Sequence, residues 1–469
     1  MELSIEQKIA FDKYVEGHNI FITGPGGSGK SELIKKIFVD AHKNYKEIQV
    51  CALTGCAAVL LNCKAKTVHS WAGIGLGNGL IHDLIDKIIK KPYLRDTWVN
   101  TEILVIDEVS MLSAKLFETL NAIGKAVRRN TRPFGGIQLI FSGDFFQLPP
   151  IGDSNDPDSQ QFCFESEEWN KIFPSNCQIQ LVRIFRQKDE VYTKILNQIR
   201  KGKISTKSCD ILIKYVGRCV DPTLIIEPTK LFPTRKKAED INNLRLNSLV
   251  GIEKIFTIKN ISNAKPPPRI NRRVSKTINK KKDELKEVST DVSTDVLIPP
   301  QTLIELEYMA KNLICDKEIK LKIGAQVMCI INIMDEYGQI ILCNGSQGIV
   351  TGFCSATGFP NVKYNNGLER IMGEHTWLSD KIEGVGVSQV PLILAWALTI
   401  HKSQGSTLDA AEIDIGSEIF EYGQTYVALS RIKNLNGLYL SSFDPDKICA
   451  YKKVKKYYKG ISESDSSLE

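Results

Sequence analysis

The chain has 469 residues, 42% hydrophobic and 25% charged, with a formal net charge of +7. That composition fits a globular protein of about three domains and excludes disordered and fibrous classes. No apolar run approaches the ~18 residues of a membrane span.

Much of the positive charge is local. Residues 264–287 carry nine Lys/Arg against Asp283, Glu284 and Glu287, so the remainder is nearly neutral. A nucleic-acid path elsewhere must therefore come from local grooves rather than overall charge. Twelve cysteines are scattered without a C-x-x-C pair, which argues against a structural zinc site and for buried thiols in a reducing compartment. The N-terminus lacks the basic start and apolar core of a signal peptide. We expect an intracellular protein of the nucleus, cytoplasm or a viral replication site.

Along the chain, the apolar run Ile20–Ile22 leads into Gly24-Pro25-Gly26-Gly27-Ser28-Gly29-Lys30-Ser31, and an amphipathic stretch follows. Strand, G-x-x-x-x-G-K-S loop and helix together predict a nucleoside-triphosphate site. Glycines let several N–H groups point at one anion, and the helix adds its positive N-terminal end. Lys30 reaches the β- and γ-phosphates, and the Ser31 hydroxyl can ligate Mg²⁺. Further apolar runs at Gln49–Leu53, Ile103–Ile106 and Gln138–Phe141 alternate with helix-compatible stretches, the pattern of a parallel α/β sheet. The loops beyond its strand ends hold Lys30, Thr54-Gly55, Asp107-Glu108 and Asp144–Gln147, which should converge on one edge.

Leu104-Val-Ile-Asp107-Glu108 is a strand ending in two carboxylates, with Asp107 suited to Mg²⁺ and Glu108 to the general base. Gln147, in Gly143-Asp-Phe-Phe-Gln147-Leu-Pro-Pro150, can donate to a γ-phosphate and accept from water. A second αβ region runs from Leu181 to about Asn243 and resumes at Leu392–Leu398. Between them lie a Pro- and Lys-rich segment (259–300) and short strands after Lys320 that read as a small β-barrel. His401, Lys402, Ser403 and Gln404, before a helix expected near Ser406, suit phosphate-backbone contact without base reading. A GTPase switch is excluded because Asn279-Lys-Lys-Lys282-Asp283 has one residue too many for the guanine-reading motif.

These strings carry a resemblance. Val105-Ile-Asp-Glu-Val-Ser-Met-Leu112, Arg132-Pro-Phe-Gly-Gly-Ile-Gln-Leu-Ile140 and Gly143–Pro150 resemble the Pif family of superfamily 1 DNA helicases, a RecD-like group. The likeness spans nearly the whole chain. It implies that Gln7 contacts adenine, and that Thr54, Gly55, Thr67 and His69 line a single-strand path. Phe185-Arg186-Gln187 is similar to motif IV, Asn344–Gly348 to the family's barrel, Trp396–Thr407 to motif V and Gly423–Arg431 to motif VI. Cys56 and Val68 depart from the family's usual isoleucines.

The fold implied is α/β, two RecA-like parallel-sheet domains with an inserted small β-barrel. The expected divisions are 1–180 (with a wedge insertion near 73–98), 181–245, 246–391 and 392–469. The second domain lacks its own phosphate loop, so Arg186 and Arg431 should supply charge to the first site. The resemblance implies a monomeric ATP- and Mg²⁺-dependent helicase. It would move 5′ to 3′ on single-stranded DNA and open forked or tailed duplexes in replication, repair or recombination. The residues alone do not separate DNA from RNA.

Overall fold

The computed structural model describes residues 3–54, 57–58, 61, 63–75, 80–152, 156–220, 226–262, 299–312, 316–334, 340–342, 345–379, 382 and 384–465. Gly55, Cys56, the basic run at 264–287 and Asn344 lie outside these residues.

Helix α1 (Ile5–Val15) starts in a capping box in which the Ser4 side chain accepts from the Gln7 backbone and Gln7 reaches back. Then come β1 (Ile20–Thr23), α2 (Lys30–Lys43), β2 (Ile48–Ala52), β3 (Lys66–Thr67), β4 (Ile103–Asp107), β5 (Gln138–Gly143) and β6 (Gln178–Gln180). The strands form one all-parallel sheet in the order β3-β2-β4-β5-β1-β6. The near-continuous apolar runs of the central strands β1, β4 and β5 follow from burial on both faces. Ile20, Ile22, Val105 and Ile140 enter a core against α2, while Phe21, Leu104, Ile106 and Phe141 enter an aromatic core on the other side. The period-2 alternation of a strand makes that division.

A second parallel sheet runs in the order Ala397–Thr399, Thr229–Phe232, Ala411–Ile415, Leu438–Phe443. Two parallel sheets with helices make two RecA-like units. Among the described residues, the strands expected in a small barrel pair in antiparallel sheets of five, three, two and two strands. The five-stranded sheet reaches from Glu369–Ile371 to Leu392–Leu394 and shares one continuous core with the second parallel sheet. The stretch 73–98 contributes the helices Ile81–Lys90 and Pro92–Asn100, which press Ile88 and Trp98 into the first unit.

Two local expectations change. No helix forms at Ser406. Residues 400–405 turn through left-handed Gly405 (φ 83°), and the chain runs on into Ala411–Ile415. The C-terminal helix Lys452–Asp465 follows the second sheet in sequence, yet it buries Val454, Tyr458 and Ile461 in the first unit's aromatic core. Among the described residues no helix is long and apolar enough to cross a membrane, and no three His, Cys, Asp or Glu cluster as a metal site.

Trp169 anchors the aromatic core. It is fully buried, with Phe173 at 4.7 Å, Phe21 at 5.2 Å and Phe117 at 5.6 Å between ring centroids. Its indole N–H donates to the Tyr457 hydroxyl at 3.0 Å, tying the C-terminal helix to the same core. Trp169→Ala should therefore cost about 3–5 kcal/mol, the range for truncating a buried large aromatic side chain. Urea unfolding monitored by circular dichroism checks this through an earlier transition of the first unit.

Candidate nucleotide site at the interface of two RecA-like units

The phosphate loop leaves β1 at Thr23 and closes on α2. Gly29 caps that helix in left-handed conformation (φ 83°) without a side-chain cap, which leaves first-turn N–H groups free for an anion. Gly27 (φ +83°) is needed for space as well, since a Cβ there would lie 2.5 Å from Cβ of Arg186. Lys30 Nζ donates to the loop's own carbonyls, Gly24 O at 2.8 Å and Pro25 O at 3.1 Å. Burial pushes the Lys30 ammonium below its usual range, against the pull of Asp144, Glu108 and Asp107. Gln7 donates to Gly29 O at 3.2 Å, which joins α1 to the loop's end. Ser28 is buried, and Ser31 is exposed in the first turn of α2.

Asp107 ends β4 and is 6% exposed, its carboxyl raised by burial. Glu108 follows in left-handed backbone (φ 57°), a strained state that costs of order 1–3 kcal/mol and collects at functional sites. Burial first, and then Asp107, push the Glu108 carboxyl up to about 7, with Lys30 and Arg431 opposing. Gln147 is buried, and its amide oxygen has no partner, as is true of the Ser28 hydroxyl. Two crowded carboxylates, the exposed Ser31 hydroxyl and unpartnered buried oxygens form a donor set that suits a hard divalent cation beside a triphosphate.

The second unit closes over this loop. Tyr426 accepts from the Gly26 N–H through its hydroxyl at 2.8 Å, and a Cβ on Gly26 would lie 3.6 Å from Ser430. Phe185 donates its N–H to Gly27 O at 2.8 Å. Arg186 donates to Ser430 O at 3.1 Å, its guanidinium depressed by burial. Arg431, 2% exposed, donates to Val427 O, Ser406 O and, at 2.7 Å, Ser430 Oγ. Burial and then Arg186 lower its guanidinium to about 9. In this state Arg431 is thus held by its own unit, one hydroxyl away from the loop.

The expected DNA contacts are spread more widely. Gln404 donates to Glu108 Oε2 at 3.1 Å and Ser403 to Ile400 O at 2.8 Å, so both face inward. Lys402 is exposed, and His401 stacks near Phe420 with its imidazole depressed by burial. Thr54 accepts from Ala57 N, and Thr67 caps the helix Val68–Ala72. His69 lines a crevice of about 280 Å³ with Lys87, Lys91 and Tyr93 on one side and Gln301 and Glu305 on the other. Sequence reasoning did not single out Tyr426, which stands five positions before Arg431 in the same string. It quoted Gln187 only as part of a motif and gave it no role; the structure has it donating to Ser430 O and Ile432 O.

Residues 2–210 match the family model for PIF1-like helicases, and residues 306–353 match that for the DNA helicase Pif1 2B domain. An ATP-dependent DNA helicase PIF1 of Emericella nidulans is 33% identical over 99% of this chain, which spans 64% of that relative's length. The crystal structure of a Pif1 helicase from Candida albicans is 33% identical, with a TM-score of 0.75 over 98% of this chain and 100% of its own. A Bacteroides Pif1 helicase solved in complex with ADP-AlF3 and single-stranded DNA is 26% identical, with a TM-score of 0.65 over 99% of this chain and 98% of its own. With a third of its residues identical along the whole of the crystallised Candida chain, this chain belongs to the PIF1-like helicase family.

Proposed function

We propose that this chain is an ATP-driven motor that moves 5′ to 3′ along single-stranded DNA and separates duplexes at forks or tails. The observation that carries this reading is the phosphate loop touched by Tyr426, Phe185 and Arg186 of a second unit that has no such loop. A site split in this way couples hydrolysis to relative motion of the units, because the groups that complete it arrive and leave with the second unit. The names of the relatives support the activity. The Bacteroides complex supports single-stranded DNA and a nucleotide as ligands of that protein.

In this reading the loop N–H groups and Lys30 bind the triphosphate and Gln7 binds the base. Glu108 accepts the proton of the attacking water, Gln147 orients that water, and Arg186 and Arg431 stabilise charge on the transferring phosphoryl group. Ser31 and Asp107 would hold Mg²⁺, which neutralises phosphate charge when bound. Arg431 exchanges its carbonyl partners for the phosphoryl oxygens as the units close. Thr54, Gly55, Thr67, His69, His401 and Lys402 would follow the sugar-phosphate backbone. Ser403 and Gln404 would act from behind that path, Gln404 by linking it to Glu108. The expected units (1–180, 181–245, 246–391 and 392–469) would serve as first motor domain, split second motor domain and inserted strand-separating element. The protein would work as a monomer in the replication, repair or recombination of DNA inside the cell.

Strand separation on duplexes carrying a 5′ or a 3′ tail, in DNA and in RNA, tests the function. Wild type should open the 5′-tailed DNA with ATP, and Lys30→Ala should open none. Preference for a 3′ tail or for RNA would overturn the polarity or the substrate.

Glu108→Gln should keep nucleotide affinity and lose turnover, because the amide preserves shape yet cannot accept a proton. Equilibrium binding of a fluorescent ATP analogue beside a steady-state phosphate assay separates the two effects.

Arg431→Ala should slow single-turnover hydrolysis by ~10³-fold or more with ATP and DNA binding nearly intact. Arg431→Lys should rescue little, since a point charge does not reproduce the planar fork. A loss below about tenfold in the same assay would place the arginine outside the reaction.

A further inference from the structure

Asp144 lies three residues before Gln147 and is completely buried. Arg200, the last residue of the helix Glu190–Arg200 in the second unit, grips it with two bonds of 2.8 Å and is itself 5% exposed. The Tyr458 hydroxyl, from the C-terminal helix, donates to Asp144 Oδ1 at 3.4 Å and accepts from Phe145 N–H at 3.1 Å. The same hydroxyl lies 2.6 Å from Thr23 Oγ1, on the residue just before the phosphate loop. The Arg200 guanidinium sits 4.7 Å from the Phe146 ring and 5.3 Å from the Tyr458 ring, and those rings stack at 4.8 Å. A Cβ on Gly423 would meet Phe146 O at 2.5 Å, so the second unit also presses on this loop's backbone.

Every hydrogen-bonding direction of the Tyr458 hydroxyl is thereby used, and one cluster joins four chain regions far apart in sequence: Thr23, Asp144–Phe146, Arg200 and Tyr458. As a source of stability it is an inefficient arrangement. An ion pair removed from water repays little more than its desolvation, and apolar residues of similar volume would hold the units together as well. What the pair adds is direction. A bidentate fork fixes the carboxylate's plane, and with it the turn Asp144–Gln147, closed by the Gln147 N–H to Asp144 O bond of 2.8 Å. The Asp144 charge also reaches Lys30 and holds its ammonium up against burial.

We propose that Arg200 and Tyr458 are positioning residues. Through Asp144 they set the loop carrying Gln147 against the phosphate loop, so that ATP turnover answers to the DNA-driven position of the second unit. This inference rests on the motor reading above. Arg200 acts through Asp144, and Tyr458 through Asp144 and Thr23.

The test compares wild type, Tyr458→Phe and Arg200→Lys in ATP turnover with and without saturating oligo(dT), alongside thermal unfolding. Tyr458→Phe keeps the stacked ring and removes only the hydroxyl. Arg200→Lys keeps the charge and removes the fork. In both, the ratio of DNA-stimulated to unstimulated turnover should fall by on the order of tenfold, the scale on which a slightly misplaced group costs rate. Lys453→Ala, which breaks the same helix's ion pair with Glu165, should keep the ratio within about twofold, as expected for a partly exposed pair.

Rates that fall together with the melting temperature while the ratio holds would make the cluster a structural fastening only and overturn the proposal. So would an unchanged ratio in a stable variant, or equal damage from Lys453→Ala. Wild type that hydrolyses ATP without responding to DNA would sink the motor reading itself, a result distinct from a stimulated wild type matched by its variants.

Discussion

Charge held in a cleft with little water is the constraint around which this molecule is arranged. Lys30, Arg186, Arg200 and Arg431 face Asp107, Glu108 and Asp144 at the junction of the two parallel sheets, and all but Glu108 of the carboxylates are almost fully buried. None of these groups could be left alone there, because an unpaired buried charge costs several kcal/mol. Each is therefore tied to a partner or to backbone carbonyls. The ties cross from one unit to the other at Gln404–Glu108, Tyr426–Gly26 and Arg200–Asp144. Opening or closing the cleft must exchange these partners as a set. A triphosphate, which brings its own negative charge, is a natural substitute partner for Lys30, Arg186 and Arg431.

Packing explains why the exchange can be cooperative. The first unit's aromatic core reaches from Phe21 on the strand before the phosphate loop, through Phe145, to Tyr457 and Tyr458 on the C-terminal helix. The second sheet and the antiparallel five-stranded sheet share a different core. The chain crosses between the two bodies at the loop entering Phe185 and again before Lys452. Both crossings end in residues of the Asp144 cluster or beside the phosphate loop, so movement of one body is felt at the nucleotide site through short, close-packed connections.

The strings of the candidate site were legible in the residues because they are local. The phosphate loop needs glycines in a fixed order, and the paired carboxylates need a strand end; both are strings that can be read without a fold. Four of the six strands of the first sheet were readable as apolar runs for the same reason, with observed bounds a residue or two from the expected ones; the edge strands Lys66–Thr67 and Gln178–Gln180 carry no such run. The helix expected near Ser406 did not form, since Gly405 turns the chain and the next residues serve a central strand. The C-terminal helix shows a clear apolar stripe at Val454, Tyr458 and Ile461, but a stripe does not say which body it covers.

By itself the sequence marked the strings of the candidate site: a glycine-rich loop between a strand and a helix, two carboxylates at a strand end, and arginines in a second unit. It did so because spacing along the chain sets the geometry of a loop or a strand end. Only the tertiary structure decided which partners the buried charges take. Asp144 and Arg200 are 56 positions apart, Asp144 and Tyr458 314, and Gln404 and Glu108 296. No local pattern encodes such pairs. They are chosen when two bodies close over a dry cleft and every charge caught there must find the nearest complement.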